Sequence, residues 1–162
     1  EQLEIFEALF REEAPSYDGN YYSFPQVRFE PKPIQQPLPV WVGGNSQAAF
    51  RRTARFGHAF HAAFEPLDVV KREWAQVREA CEAIGRDPDE LDLSLRMFLD
   101  PDRTMEPAKS IGGSVDQMVE TIGLVEEVGI THVLLDPVAR GGFNGRLDAL
   151  GDFMSDVASQ VS

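Results

Sequence analysis

Cysteine is nearly missing from this chain: Cys81 is the single one among 162 residues. No internal disulfide and no cysteine-built metal site can form, which agrees with a reducing cytoplasm as the expected compartment. Positive charge is scarce too. The chain has 15 Lys and Arg against 27 Asp and Glu, a formal net charge of −12. It therefore lacks the clustered cations with which proteins displace counterions from nucleic acid or settle on anionic membranes. A small molecule is the expected partner, with no nucleic acid and no membrane. Long apolar runs are absent: no stretch approaches the ~20 residues that cross a bilayer, and no basic segment followed by an apolar one marks a secretory leader. An initiating Met is missing as well, and the chain opens inside an apolar helical pattern of Leu3, Phe6, Leu9 and Phe10. It is expected to be part of a longer protein.

With 43% hydrophobic and 26% charged residues, the composition suits one globular domain over residues 1–162. Residues 1–38 read as a helix tail followed by a long loop rich in Pro, Gly, Tyr and Phe, with possible short strands at 21–24 and 27–29 around Pro25. Pro31, Pro33, Pro37 and Pro39 keep that loop extended, because each fixes its own φ and restricts the residue before it.

From residue 39 onward the pattern repeats as strand then helix, four times. Strand 40–42 ends at Gly43-Gly44, and Asn45 or Ser46 can cap a helix that runs to Phe56. Strand 58–64 leads to a helix whose Leu67, Val70, Trp74, Val77, Cys81 and Ile84 form one stripe. Strand 91–99 is followed by a loop over 100–113, then by Ser114 and Gln117 as a capping box, with Val115, Met118, Ile122 and Val125 on one helix face. The fourth strand, 131–135, contains Val133-Leu134-Leu135, a run expected of a strand covered on both faces. The last helix places Leu147, Leu150, Met154, Val157 and Val161 on one side and Asp148, Asp152 and Asp156 on the other.

Four such units favour a parallel α/β sheet with its ligand sites at the carboxyl ends of the strands. Residues 39–162 amount to about half of the ~250 residues of a (β/α)8 barrel, although periodicity alone also permits an open four-strand sheet. The candidate site loops are 43–46, 64–66, 100–113 and 136–142. Of these, Gly43-Gly44-Asn45-Ser46 is the most informative. Glycines admit a close backbone approach, the first amides of a helix are unpaired, and the helix dipole favours negative charge there. An ordinary structural turn with a cap uses the same letters.

Its surroundings add context. The run from Phe29-Glu30-Pro31-Lys32-Pro33 through Trp41-Val42-Gly43-Gly44-Asn45-Ser46, followed by Ala48, Ala49, Arg51, Arg52, Ala54 and Gly57, resembles the luciferase-like monooxygenase family. The match is closest to its coenzyme F420-dependent branch. Asp18-Gly19-Asn20-Tyr21-Tyr22-Ser23-Phe24, Gly85-Arg86-Asp87-Pro88, Gly112-Gly113-Ser114-Val115-Asp116-Gln117 and Val128-Gly129-Ile130-Thr131-His132 extend the likeness over nearly the whole chain. The resemblance implies a TIM (β/α)8 barrel, of which this chain would be the C-terminal half, binding coenzyme F420 or FMN at the strand ends. Gly43, Gly44, Asn45 and Ser46 would cradle the cofactor phosphate, and the chemistry would be hydride transfer, or oxygen activation by reduced FMN in monooxygenase members. Where the family commonly has Gly-Asp-Gly-Trp, this chain has Gly57-His58-Ala59-Phe60, so contacts of that Asp are lost. The family's acid/base residues lie mostly in the other half, and no catalytic residue is assigned.

His58 and His61 are spaced as H-x-x-H, but three apart on a strand they face opposite sides, so no shared metal is expected. His61 and Arg140 are weaker candidates for substrate or anion contact, and for His61 a satisfied histidine of the barrel interior is the favoured reading. Arg140 lies beside Asp136 and Gly141-Gly142, where a salt bridge with Asp136 is an equal reading. Arg51, Arg52 and Arg55 read as a solvated helix face, and Cys81 as core. An F420-dependent oxidoreductase is thus expected, with two alternatives: an FMN monooxygenase, or a non-catalytic half-barrel assembly module. A half barrel exposes two sheet edges and would form homo-oligomers or pair with the missing N-terminal half.

Overall fold

In the computed structural model, which describes residues 1–161, the apolar residues near the start form helix α1 (Gln2–Arg11). The last carbonyls of a helix have no partner within it, and here the proline-rich segment supplies donors. Lys32 Nζ donates to the carbonyls of Leu9 at 2.7 Å and Glu12 at 2.6 Å, and Gln36 Nε2 to that of Phe10 at 3.1 Å. An antiparallel hairpin pairs β1 (Tyr17–Asp18) with β2 (Ser23–Phe24). Its turn is pinned by the Glu1 carboxylate, which accepts from the amides of Asn20, Tyr21 and Tyr22. The strand expected at 27–29 does not form: Pro25 has no N–H to continue a ladder, and Val27 N makes one isolated bond to Pro15 O. Together these elements form one unit, Glu1–Val40, and the rest of the chain from Trp41 forms a second.

The second unit is an α/β fold on a parallel sheet. Its strands are β3 (Trp41–Gly43), β4 (Ala59–Ala63), β5 (Asp92–Leu99), β6 (Ser110–Ile111) and β7 (His132–Pro137). Helices α2 (Gln47–Phe56), α3 (Leu67–Glu82), α4 (Val115–Glu127) and α5 (Gly142–Asp152) follow β3, β4, β6 and β7. All strand pairs of the sheet are parallel. Strand β5 is central, with β4 along residues 92–96 and β7 along residues 94–99. The two-residue β6 lies inside the segment read as a loop; it extends pairing at the end of β5, and Asp100 N donates to Ile111 O at 2.8 Å.

Period-two alternation divides the sheet into two faces. Leu93, Leu95, Met97 and Leu99 of β5 join Phe60 and Ala62 of β4 in the core beneath the helices. Asp92, Ser94, Arg96 and Phe98 share the opposite face with Trp41, His61, His132 and Asp136, as the register dictates. On α3 the stripe is seated as spaced: Val70, Val77 and Cys81 are fully buried and Leu67 and Trp74 pack against the core. Ile84 is 58% exposed, because the helix ends at Glu82 and the chain turns through Gly85 at φ +73. Past that turn, Arg86 Nη1 donates to Ala54 O at 2.9 Å and approaches Thr53 O at 3.5 Å, tying the loop after α3 to the last turn of α2. On α4 both halves of the Ser114/Gln117 capping box are made.

Two expectations are corrected. Val133 and Leu134 of β7 are exposed at 37 and 40% rather than covered on both faces: β7 is the outer strand, with no strand beyond it among the described residues, and Leu134, opposite Arg96, lies on the open face. In the last helix Val157 is buried and Leu150 packs against the core as spaced, but Ala149 and Phe153 join them while Leu147 and Met154 stay exposed. The backbone widens there into a π turn (Phe153–Val157), which rotates later side chains off the α-helical stripe.

Leu95, fully buried at the centre of β5, should be the most sensitive core position. Leu95→Ala is expected to cost about 2–5 kcal/mol, read as a lower urea midpoint at unchanged slope.

Candidate functional site

The segment Trp41-Val42-Gly43 enters the sheet as β3, with Gly43 directly opposite His61. A Cβ at Gly43 would come within 3.3 Å of His61 O. Gly44 follows at φ +114, a conformation side chains rarely adopt, and a Cβ there would meet the Ala49 Cβ at 3.2 Å. Of the two cap candidates, Ser46 takes the position: its Oγ accepts from Ala49 N at 3.2 Å, and its carbonyl from Phe50 N at 3.0 Å. The amides of Gln47 and Ala48 have no intrahelical acceptor, as in the first turn of any helix. Residues 43–46 are all exposed, so this positive helix end opens outward and is not tied up inside the fold.

Beside the turn lies a cleft of about 280 Å³ whose lining includes Gly43, Gly44, Asn45, His61, Glu65 and Glu73. Three of the four predicted phosphate-cradle residues and His61 thus come together, while Ser46 shapes the helix start. The His61 Nδ1 is 3.0 Å from Ser94 Oγ, and its ring is 6.1 Å from that of Trp41. Burial, and then the Arg96 charge, hold its pKa below the usual histidine range. His58 precedes β4, and among the described residues no three His, Cys, Asp or Glu side chains converge as a metal site would require.

Sequence reasoning missed Glu73. It is only 8% exposed, lines the cleft, and carries no hydrogen bond or ion pair among the described residues. Burial first, and then the neighbouring Glu65 charge, push its carboxyl above the usual glutamate range, with Arg72 acting in the opposite sense. The signal was present in the spacing: Glu73 sits three after Val70 and four before Val77, on the edge of the buried stripe.

Arg140 is placed apart. Its side chain is 91% exposed and pairs with Asp102 at 3.7 Å, not with Asp136. Asp136 is held by Arg96 at 2.6 Å instead, since both point from the open face of adjacent strands. Arg96 in turn lies over the Phe64 ring at 5.1 Å, and that ring stacks on Phe98 at 4.2 Å. Phe64, at the carboxyl end of β4, has φ +55, a strained value of the kind that gathers at functional sites. Asp100 is fully buried and accepts from Thr104 Oγ1 at 3.1 Å and Met105 N at 2.5 Å, so it organises its own loop.

Chemically, the turn offers what an anion needs: free amides, a helix dipole, and a backbone left bare where a Cβ would crowd. A phosphate group fits the amides, but Glu65 and Glu73 line the same cleft and bring negative charge toward it.

A family model for luciferase-like monooxygenases matches residues 1–111. Uncharacterized proteins of Mycobacterium bovis and Mycobacterium tuberculosis are 34% identical over 86 residues, 53% of this chain and 29% of theirs. The fold is similar to a coenzyme F420-dependent tetrahydromethanopterin reductase from Methanopyrus kandleri, with TM-score 0.81 and 14% identity over 99% of this chain and 62% of that one. It is also similar to an F420-dependent secondary alcohol dehydrogenase, at TM-score 0.78 and 13% identity, covering 99% and 60% of the two chains. A monooxygenase from Streptomyces bottropensis gives 0.75 and 18%, covering 95% and 58%. The chain thus spans under a third of the curated relatives it matches and about three fifths of these structures.

The buried Glu73 carries a pH dependence of its own. Its native pKa is raised, so the native state binds more protons than the unfolded chain between the ordinary glutamate pKa and the raised one. Stability is therefore full below that window and falls as pH rises through it. Urea midpoints at pH 5 and 8 should converge in Glu73→Gln, with the variant the more stable of the two proteins at pH 8.

Proposed function

Because the chain belongs to the luciferase-like monooxygenase family, we propose that it holds the cofactor phosphate in a flavin or deazaflavin oxidoreductase acting on a small molecule, and that the cofactor is coenzyme F420. One observation carries this reading: β3 runs parallel into a turn of two glycines, the second at φ +114, and opens the first amides of α2 beside a cleft at the strand ends. The names of two structural neighbours, both F420-dependent, support the choice of cofactor. FMN is the second reading, favoured by a further structural neighbour, a riboflavin lyase that holds a modified FMN.

When bound, the cofactor supplies hydride transfer, and as reduced FMN it would activate oxygen. The chain's own part is to bind and orient. Gly43 and Gly44 let the backbone approach the phosphate, Asn45 and Ser46 border it, and the amides of Gln47 and Ala48 donate to it. His61, steadied by Ser94, faces the same cleft as a neutral ring able to accept or donate at Nε2. Phe64 and Phe98 would form an apolar wall toward the substrate beside the Arg96–Asp136 pair, and Arg140 stays outside this arrangement. None of these groups is assigned a catalytic proton transfer.

The outer edges of β3 and β7 have no partner strand among the described residues. We take the sheet as half of a (β/α)8 barrel, whose edges are covered either by further strands of a longer chain or by a second copy. A non-catalytic assembly module is the remaining alternative.

Fluorescence titration tests the proposal: F420 should be bound and its emission quenched. Gly44→Val should weaken binding about tenfold to a hundredfold, matching the ~1–3 kcal/mol of forcing a side chain into that backbone, with circular dichroism unchanged. Binding of FMN alone, with oxygen consumed by the reduced flavin, would transfer the assignment to a monooxygenase. If neither cofactor binds and light scattering finds a stable assembly, the module reading stands instead.

A further inference from the structure

The cleft beside the diglycine turn combines groups that a bare dianion does not suit. Glu73 is more than nine-tenths buried, borders the turn, and has no partner among the described residues. The charged groups around it do not compensate. From β4 come His61 within the strand and Glu65 just past its end, and only Glu65 is formally charged. On α3 itself the nearest cation is Arg72, already engaged by Asp68 at 2.7 Å. From the α2 side the cleft receives Asn45, while Gln47 is bonded to Gln76. Arg51, Arg52 and Arg55 line a different groove with Ala80 and Ile84. The α2 amides would attract an anion, and an ionised Glu73 carboxylate lining the same cleft would repel it.

We propose that an anion seated on the amides of the diglycine turn binds together with a proton, and that Glu73 is the positioning residue that carries it. The inference rests on reading the turn as a phosphate seat. A protonated Glu73 changes from a repelling charge to a hydrogen-bond donor directed at a phosphate oxygen. The proton comes from solvent, since burial and Glu65 already hold the Glu73 carboxyl above its ordinary range and a bound anion pushes it further in the same direction. The ligand class this selects is a phosphate ester, which offers acceptor oxygens to both the amides and the acid. Affinity is greatest at low pH and falls as pH rises through the raised pKa of Glu73, by at most about tenfold per pH unit for one linked proton.

Titration calorimetry of FMN against riboflavin, in two buffers of different ionisation enthalpy at pH 7, counts the protons taken up. FMN should bind more tightly than riboflavin and take up a fraction of a proton, at most one, whereas riboflavin takes up none. Glu73→Gln, which keeps shape and hydrogen-bonding capacity, should abolish that uptake, flatten the pH dependence and bind FMN more tightly than the wild type at pH 8. His61→Gln should leave the uptake in place. Uptake unchanged in Glu73→Gln would assign the proton to the phosphate itself, and uptake lost in His61→Gln would assign it to the imidazole; either result overturns the role of Glu73 while leaving the phosphate seat standing. Equal binding of FMN and riboflavin, or binding of neither these nor F420, removes the seat and the inference together; where F420 alone binds, the same proton count and Glu73→Gln comparison are read on F420.

Discussion

The second unit depends on β5 being bonded along both edges. Its even-numbered residues turn their backbone groups toward β4 and β6, and its odd-numbered ones toward β7, as the bonds of Phe64 N to Arg96 O and of Val138 N to Leu99 O mark out. Because a strand alternates faces as well as edges, one choice of register decides both core and site. Leu93, Leu95, Met97 and Leu99 go under the helices, and Ser94 and Arg96 are left to meet His61 and Asp136. A slip of one residue would exchange the two sets, placing the Arg96 charge among the leucines.

The site that this register supports is a balance of opposed electrostatics. Backbone amides at the start of α2 present partial positive charge without any cationic side chain, in a protein whose overall charge is strongly negative. Glu65 and Glu73 line the same cleft with charge of the opposite sign. On the proposed reading, selectivity there comes from geometry, since only a group that reaches the amides while avoiding or sharing a proton with the carboxylates gains from it.

Much of this was legible in the letters. Period-two and period-3.6 patterns placed the main strands and helices because those patterns reflect burial on a single face, and glycines at 43, 44, 85 and 129 punctuated them where positive φ or a tight turn was required. Ser114 and Gln117 were readable because a capping box is wholly local. What depended on tertiary partners was not readable. The preference of Asp136 for Arg96 over the sequence-adjacent Arg140 follows from strand register. The exposure of Val133 follows from its place at the sheet's outer edge, and that of Leu134 from the open face it shares with Arg96. The burial of Glu73 follows from the packing of α3 beside β4, which sets a charged residue on the margin of an apolar stripe into a cleft.

The Arg86 guanidinium also has a mechanical meaning. By grasping the carbonyls of Thr53 and Ala54 it fastens the far end of α2 to the segment leaving α3, while Gln47 and Gln76 link the same two helices near the cleft. A rod held at both ends does not pivot. On the proposed reading, ligands of different girth are met by side-chain rotations of Asn45, Glu65 and Glu73, and the amides at the start of α2 serve as a fixed datum against which the remainder of a bound molecule is measured.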